Sequence, residues 1–408
     1  MRDKELYAQI LGIKSPWVVH DVQLSYQNTE VTVSIDLKPN ARLTCPHCAK
    51  TCSGYDTRVK RWRHLDTCQF RTILEARVPR IQCLEHGVKT IQVPWAEPGS
   101  GFTAMFEALV IDWLHEASTQ AVSRQMRLSW NAIDNIMQRA VKRGLKRREL
   151  QPLKHIGIDE TSFQKRHEYV TVVVDQERDI VVHVADERKK ESLNQFYDTL
   201  SEQQLSELES VSMDMWPAFI NTTLDRVPDA GRKIAFDKFH IAKALGEAVD
   251  KVRRQEHKVL AAEGHSILTG SKYQWLANPE NMSEKQWQDF LPLKNRVLKT
   301  ARAWAIKELA MTLWHYSTRG WAIKAWKRWL GWGLRCRLEP VRKVALMIRE
   351  HLWGIVNAII LSVDNGRSES MNAKIQRVKR RACGFRNRDR FRAAIYFHCG
   401  GLELYPCG

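Results

Sequence analysis

The sequence lacks any apolar stretch long enough to cross a bilayer. Its longest predominantly apolar run, residues 354–363, is about half of the ~20 residues that a transmembrane helix needs, and residues 1–5 lack the hydrophobic core of a secretory signal. The sequence also has no low-complexity segment. Hydrophobic residues make up 44% of the chain, which is enough to form packed cores and excludes an intrinsically disordered protein. We therefore expect a soluble intracellular protein of about two to four domains, with no membrane partner.

Acidic residues are also fewer than basic ones. The 46 Asp and Glu residues oppose 64 Lys and Arg, which gives a formal net charge of +18 and a pI near 9.6. Such an excess favours a polyanionic partner, although composition alone does not separate DNA, RNA and an anionic membrane surface.

Cysteine is sparse but unevenly placed. Of nine cysteines, five lie in the first fifth of the chain, where Cys45-x-x-Cys48 and Cys83-x-x-His86 form two ligand pairs. Two ligand pairs of this spacing, each in a tight turn (a zinc knuckle), can hold one tetrahedral zinc ion. We therefore expect one structural Zn²⁺, with a strand-rich segment between the pairs. The rival ligands are Cys52, His64 and Cys68. The alternative is that these cysteines pack as small hydrophobic residues.

Two short amphipathic segments follow the cysteine-rich region. Ser118 and Ser129 are placed as N-caps, and the second helix is predicted to run from Trp130 to about residue 144. Such a pair is typical of a helix-turn-helix, although an ordinary helical hairpin gives the same pattern. In a helix-turn-helix, Trp130 and Asn131 would face a DNA groove. The residues predicted to contact phosphates are Lys142, Arg143 and Arg147.

Beyond residue 152 the pattern changes to short strands, predicted at 155–159, 169–175, 180–185, 211–214 and 232–237. Asp159 ends or interrupts the first of these strands, and Asp214 closes the fourth. If those strands are neighbours, both carboxylates can share hard cations such as Mg²⁺. Glu369, in a strongly basic stretch where a glycine-containing turn enters a helix, supplies a third carboxylate. The competing acids are Glu160, Asp175, Asp186 and Asp237.

The remainder of the chain is predicted to be mainly helical and is rich in tryptophan, with nine of the 15 tryptophans between residues 275 and 353. Tryptophans at helical spacing are typical of a core, and the alternative is that they stack on unpaired bases.

Eight motifs taken together resemble the bacterial insertion-sequence transposases of the ISL3 group. They are CPHC (45–48), CLEHGV (83–88), VPWA (93–96), GIDE (157–160), MDM (213–215), FDKFH (236–240), NGRSESMN (365–372) and GFRN (384–387). Their order spans nearly the whole chain.

The resemblance implies a multidomain protein of class α/β plus α. Its expected parts are a zinc-binding domain (1–98), a helix-turn-helix (99–151), and a ribonuclease-H-like catalytic domain (152–246 and 363–408) interrupted by a large all-helical insertion (247–362). It also implies a DNA transposase in which Asp159, Asp214 and Glu369 form a DDE triad that holds two Mg²⁺ ions, for which Mn²⁺ can substitute.

Further expectations follow from the same resemblance. Asp237 and His240 would form an accessory Asp-x-x-His element, although His240 could instead be a core histidine. The partners would be the transposon ends and target DNA, in a homodimer or larger assembly, and the protein would be cytoplasmic and nucleoid-associated. The basic residues of the C-terminal stretch expected to contact DNA are Arg367, Lys374, Arg377, Lys379, Arg380 and Arg381.

Two other functions remain open on the sequence alone. One is a zinc-containing DNA-binding regulator whose ribonuclease-H-like domain is not catalytic. The other is a structure-specific nuclease that cuts but does not join strands.

Overall fold

The computed structural model describes residues 3–149, 151–164, 168–187, 189–296, 298–363 and 366–407. Asn365 of the NGRSESMN motif lies outside this set. The chain divides into two compact units, Met1–Arg148 with Tyr396–Gly408, and Glu149–Ile395. Residues 396–408 therefore pack with the first unit, whereas the sequence prediction grouped them with the catalytic part.

The first unit contains a five-stranded sheet of order β1-β2-β4-β3, with β5 paired to β4. Alternate residues of β2, such as Val33 and Ile35, are buried against Trp62 and Leu74, which is the period-two pattern of a sheet with one face in a core. The elements are α1 (Asp3–Ile10), β1 (Trp17–Ser25), β2 (Glu30–Leu37), β3 (Ser53–Thr67), β4 (Phe70–Cys83) and β5 (Gly87–Thr90). The long β3–β4 hairpin is the strand-rich segment expected between the two knuckles.

Three helices follow in the first unit: α2 (Ala104–Glu116), α3 (Thr119–Met126) and α4 (Trp130–Arg147). The hydroxyl oxygen of Ser118 accepts a hydrogen bond from the Ala121 N–H at 3.3 Å, and Ser129 caps α4 through the Ala132 N–H at 3.2 Å. Arg127 ends α3 in the left-handed region, with φ of 54°. Both predicted caps are confirmed, and the turn between them is tight.

The second unit is built on a mixed five-stranded sheet of order β10-β9-β6-β7-β8. Strands β6, β7 and β8 are antiparallel, whereas β9 runs parallel to β6 and β10 runs parallel to β9. Its elements are β6 (His155–Gln164), β7 (Glu168–Asp175), β8 (Ile180–Asp186), α5 (Lys190–Tyr197), α6 (Glu202–Glu207), β9 (Ser210–Met213), α7 (Pro217–Arg226), α8 (Ala230–Lys233) and β10 (Ile234–Phe236). The valine run of β7 is buried on both faces, as expected of an interior strand.

Helices make up the rest of the second unit. They are α9 (Lys238–Ala262), α10 (Lys272–Leu276), α11 (Glu284–Lys294), α12 (Lys299–Thr312), α13 (Arg319–Arg335), α14 (Glu339–Glu350), α15 (Leu352–Leu361), α16 (Gly366–Arg381) and α17 (Arg388–Cys399), the last of which continues into the first unit. Among the described residues, no single helix is long and apolar enough to span a membrane, and only α14 and α15 together, bent by 70°, meet that criterion of length and composition.

The tryptophans of this helical region differ in burial, and Trp287, Trp314 and Trp353 are partly buried against the core. Trp275, Trp304, Trp326 and Trp329 are buried in the core, so the packing interpretation accounts for them. Trp321 is 61% exposed and Trp332 is 38% exposed, so packing in the core does not account for these two side chains.

Candidate catalytic and metal sites

Four side chains of the first unit form a compact set of metal-binding atoms. The Sγ atoms of Cys48 and Cys83 are 3.7 Å apart, and His86 Nδ1 lies 3.6 Å from Cys83 Sγ and 3.8 Å from Cys45 Sγ. A tetrahedral zinc ion with Zn–S near ~2.3 Å and Zn–N near ~2.05 Å requires separations of about 3.8 Å between sulfurs and about 3.5 Å between sulfur and nitrogen. The observed distances fit that requirement, so the donor set suits zinc.

The rival zinc ligands lie outside this set. His64 is buried, its Nδ1 is 2.9 Å from Thr103 Oγ1, and burial lowers the pKa of His64 to about 4. Cys68 is exposed at the β3–β4 turn, and Cys52 directs its thiol to the Lys50 carbonyl at 3.4 Å. Within the part of the chain that the structure describes, only Cys45, Cys48, Cys83 and His86 form a group of three or more His, Cys, Asp or Glu side chains with ligand atoms within 4.8 Å of one another.

Three aspartates meet at one edge of the sheet in the second unit. Ile158 of β6 lies opposite Met213 of β9, so Asp159 and Asp214 are the next residues of two neighbouring parallel strands. Phe236 of β10 also pairs with Met213, and the Asp237 N–H donates to the Met213 carbonyl at 3.3 Å. The sequence predicted that the first strand stops at residue 159, but β6 continues to Gln164, so Asp159 lies within its strand while Asp214 and Asp237 directly follow theirs. The parallel register of the three strands still places these residues in one row across the sheet.

The row of carboxylates creates a local excess of negative charge. Burial, reinforced by nearby Asp237 and Asp214, raises the pKa of Asp159 from 3.8 to about 6. The nearby Asp237 carboxylate raises the pKa of His240, whose Nδ1 lies 3.2 Å from Asp237 Oδ2 and 3.7 Å from Asp214 Oδ1. His240 therefore belongs to this site rather than to the core. A cluster of oxygen ligands with surplus negative charge suits a hard divalent cation.

Helix α16 brings the distal carboxylate toward the same strand. Asn372 donates a hydrogen bond from Nδ2 to Asp159 Oδ2 at 2.6 Å, and Gln376 donates to Thr161 Oγ1 at 2.7 Å. Residues three and four apart share one side of a helix, so Glu369, one turn before Asn372, is on the side of α16 that carries Asn372. The Glu369 side chain is exposed. Of the other competing acids, Glu160 is the next residue of β6, Asp175 pairs with Arg178 near the start of β6, and Asp186 pairs with Arg392.

The structure corrects part of the predicted DNA-contacting set on α4. Arg143 is buried, and its guanidinium donates to Glu97 at 2.8 Å, to Glu107 at 3.0 Å and to the Leu404 carbonyl. Arg147 donates to the Tyr405 carbonyl at 2.7 Å. These arginines attach the C-terminal residues to α4, and the buried Arg143 is not available to a phosphate. Lys142 and Asn131 are exposed, and Trp130 is half-buried.

The basic residues of α16 also divide by role. Arg367 donates to the carbonyl of Gln176, Lys374 pairs with Asp179, and Lys379 donates to the Ser162 carbonyl at 2.7 Å. These three hold α16 on the sheet, which the charge pattern alone did not reveal. The side chains that remain exposed are Arg377, Arg380 and Arg381.

Comparison with known proteins gives matches along most of the chain. Residues 156–395 match a family of transposases, residues 91–141 match the helix-turn-helix domain of transposase family ISL3, and residues 41–86 match the zinc finger of the transposases IS204/IS1001/IS1096/IS1165. The transposase for insertion sequence element IS1557 of Mycobacterium tuberculosis is 30% identical over 95% of this chain and 93% of its own length. The transposase for insertion sequence element IS1001 of Bordetella parapertussis is 25% identical over 88% of this chain and 90% of its own length.

Proposed function

Because the chain belongs to the ISL3 family of insertion-sequence transposases, we propose that Asp159, Asp214 and Glu369 form its DDE catalytic triad. The protein is a DNA-binding transposase with a zinc-finger and a helix-turn-helix domain. The observation that supports the triad is the parallel register of β6 and β9, in which Asp159 and Asp214 follow the paired residues Ile158 and Met213. The bond from Asn372 to Asp159 supports the assignment of Glu369, which is one turn before Asn372 in α16.

The strand arrangement supports a ribonuclease-H-like catalytic domain. Three antiparallel strands, β6 to β8, are followed by two strands that extend the sheet on the other side of β6 in parallel. We infer that the helices between β10 and α16 form an insertion in this domain, since more than a hundred residues separate Phe236 from the helix that carries Glu369.

The reaction that this site supports is hydrolysis of a phosphodiester at the transposon end, followed by attack of the freed 3′-hydroxyl on target DNA. Two Mg²⁺ ions, when bound, would activate the attacking oxygen and stabilise the leaving one. Asp159 and Asp214 would hold them from the sheet and Glu369 from α16. Asn372 orients the Asp159 carboxylate, and the Asp237 carboxylate raises the pKa of His240 beside Asp214.

Further proposals concern zinc, DNA and the oligomeric state. Cys45, Cys48, Cys83 and His86 would hold one structural Zn²⁺, as their separations fit its tetrahedral geometry. Helix α4 would enter the DNA groove with Asn131 and Trp130 near its N-terminus. We propose a homodimer or larger assembly because two transposon ends must be brought together.

The decisive experiment is incubation of the full chain with Mg²⁺ and DNA that carries the terminal inverted repeat of the element. A transposase cleaves at the repeat end and then joins that end to target DNA. Specific binding without cleavage would instead favour the DNA-binding regulator, and cleavage without joined product would favour a structure-specific nuclease.

A further inference from the structure

A small buried polar cluster lies at the junction of the sheet and α16. Gln176, just after β7, donates from Nε2 to Ser212 Oγ of β9 at 2.7 Å and to Ser368 Oγ of α16 at 3.4 Å. Gln176 is 5% exposed, Ser212 is 2% exposed and Ser368 is 1% exposed. Buried polar groups of this kind are directional, so they fix the position of the elements that carry them more closely than apolar contacts do.

The cluster is adjacent in sequence to each proposed catalytic carboxylate. Ser212 precedes Asp214 by two residues, Ser368 directly precedes Glu369, and Ser212 lies opposite Gly157, which precedes Asp159 by two residues. Residues two apart in a strand point to the same face of the sheet. A displacement of α16 at Ser368 would therefore move Glu369 relative to both aspartates.

Gly157 lets α16 approach the sheet this closely. A Cβ atom at Gly157 would lie 2.2 Å from Ser368 Oγ and 2.8 Å from Gln176 Nε2, both far inside contact distance. The space over β6 is thus occupied by the hydrogen-bonded side chains of the cluster, and no larger residue fits at position 157 without moving them.

Three further hydrogen bonds, from two side chains, secure the same end of α16. The Arg367 guanidinium donates to the Gln176 carbonyl and, at 3.3 Å, to that of Glu177. Asn372 donates to Asp159 Oδ2 at 2.6 Å. Both the backbone and the side chain of Gln176 therefore bind the first turn of α16, which makes Gln176 the common partner of the helix and the sheet.

We propose that Gln176 is a positioning residue for the catalytic site: through Ser212 and Ser368 it sets the distance of Glu369 from Asp159 and Asp214, and so sets the affinity of the site for divalent cations. This inference rests on the proposed function, because it assumes that those carboxylates bind the cations. Residues that orient metal ligands from outside the coordination sphere commonly change metal affinity by ~10–100-fold when replaced.

The test is a titration of the full chain, with its zinc bound and without DNA, by Mn²⁺ followed by electron paramagnetic resonance. Gln176→Met keeps the length of the side chain but removes the donor, and Ser368→Ala removes one acceptor. We expect Mn²⁺ affinity to fall about 10-fold or more in Gln176→Met and by a smaller factor in Ser368→Ala. The Mg²⁺ concentration for half-maximal cleavage should rise in the same order.

The matched control is Thr223→Val. Thr223 is fully buried in the same unit and bonds to the Tyr197 hydroxyl at 2.9 Å, so this variant also removes a buried hydrogen bond, but away from the carboxylates. It should lower Tm about as much as Gln176→Met while it leaves Mn²⁺ affinity unchanged. Equal Mn²⁺ affinity in the wild type, Gln176→Met and Ser368→Ala would overturn the proposal, and so would an equal decrease of affinity in Thr223→Val.

A steric variant gives an independent check. Gly157→Ala should weaken Mn²⁺ binding by forcing Ser368 away, and the double variant Gly157→Ala/Ser368→Ala should recover part of the affinity because the colliding hydroxyl is gone. No recovery would count against the cluster. A different result would show that the proposed catalytic triad itself is wrong: Asp159→Asn would then keep both its Mn²⁺ affinity and its cleavage activity.

Discussion

Asp159 and Asp214 lie side by side although 54 residues separate them in the chain, because β6 and β9 are paired in parallel with Ile158 opposite Met213. Neither strand alone creates the site. The carboxylates approach each other only through the register of the sheet, and the burial that raises the pKa of Asp159 comes from the same packing.

The first prediction concerns the two aspartates. Asp159→Asn and Asp214→Asn each keep the size of the side chain but remove the charge that holds a divalent ion, so DNA cleavage should fall at least ~100-fold while binding of the repeat end is retained. Cleavage of end-labelled repeat DNA and gel-shift binding measure the two effects. Asp225→Asn, an exposed acid of α7, is the control and should cleave normally. Undiminished cleavage by either site variant would exclude the triad.

The second prediction is that Asp159→Asn stabilises the metal-free protein at neutral pH. The folded-state pKa of Asp159, about 6, exceeds its ordinary value of 3.8, so the folded form binds more protons between these values and its stability falls as pH rises through that window. At ~1.4 kcal/mol per pKa unit, reduced for partial solvent access, the ionised carboxylate costs roughly 1–3 kcal/mol above pH 6.

Thermal unfolding of the zinc-bound protein, in buffer prepared without Mg²⁺ or Mn²⁺, measures this cost. The Tm of Asp159→Asn should exceed that of the wild type at pH 7.5, and the difference should vanish near pH 4, where the wild-type carboxyl is protonated too. Added Mg²⁺ should stabilise the wild type more than the variant. A lower Tm for the variant at pH 7.5 would contradict the pKa argument. No chelator is used, because chelators of Mg²⁺ bind Zn²⁺ more tightly and would remove the structural zinc.

The catalytic role of Asp159 and Asp214 stays a prediction. Strand periodicity did place Asp159 in a strand and Asp214 directly after one, as the structure has them, because an apolar run can be read directly from the chain. Strand periodicity could not supply the register that makes them neighbours. It also gave no signal for Gln176, because the contacts of this residue depend on how β7, β9 and α16 pack together. Charge patterning misassigned Arg143 for the same reason. A basic run on a helix does not show which member turns inward, and the partners of Arg143 lie at positions 97, 107 and 404.

The third prediction concerns zinc. The purified protein should contain about one zinc per chain, and the double variant Cys45→Ser/Cys83→Ser should release it, since each thiolate supplies a corner of the tetrahedron. Metal analysis after dialysis measures the content. Cys52→Ser is the control, because Cys52 lies next to the four-residue group but outside it. Full zinc retention in the double variant, or zinc release from Cys52→Ser, would require a different ligand set.

The fourth prediction separates two neighbouring cations of α4. Arg143→Met leaves the buried Glu107 without one of its cationic partners, so unfolding should become easier by roughly 3–5 kcal/mol. Lys142→Met, on the exposed side, should change stability by less than about 0.5 kcal/mol. For DNA binding we expect the opposite: Lys142→Met should have a larger effect than Arg143→Met. Lys142→Met should lower the slope of log affinity against log salt by about 1, as expected when one phosphate is no longer neutralised. Equal stability of the two variants would contradict the buried role of Arg143.

The fifth prediction distinguishes the arginines on the exposed side of α16 from the lysine that holds the helix in place. Arg377, Arg380 and Arg381 are exposed, and their replacement by Gln in a triple variant should reduce the salt slope by up to about 2.7, which is about 0.9 for each phosphate that the arginines neutralise. Lys374→Gln, on the same helix, is the matched control: Lys374 pairs with Asp179, so its replacement should leave the slope unchanged. Fluorescence anisotropy of labelled repeat DNA at a series of salt concentrations measures both. If the triple variant keeps the wild-type slope, α16 does not contact the DNA backbone through these arginines, and the excess positive charge of this helix serves only to attach it to the sheet.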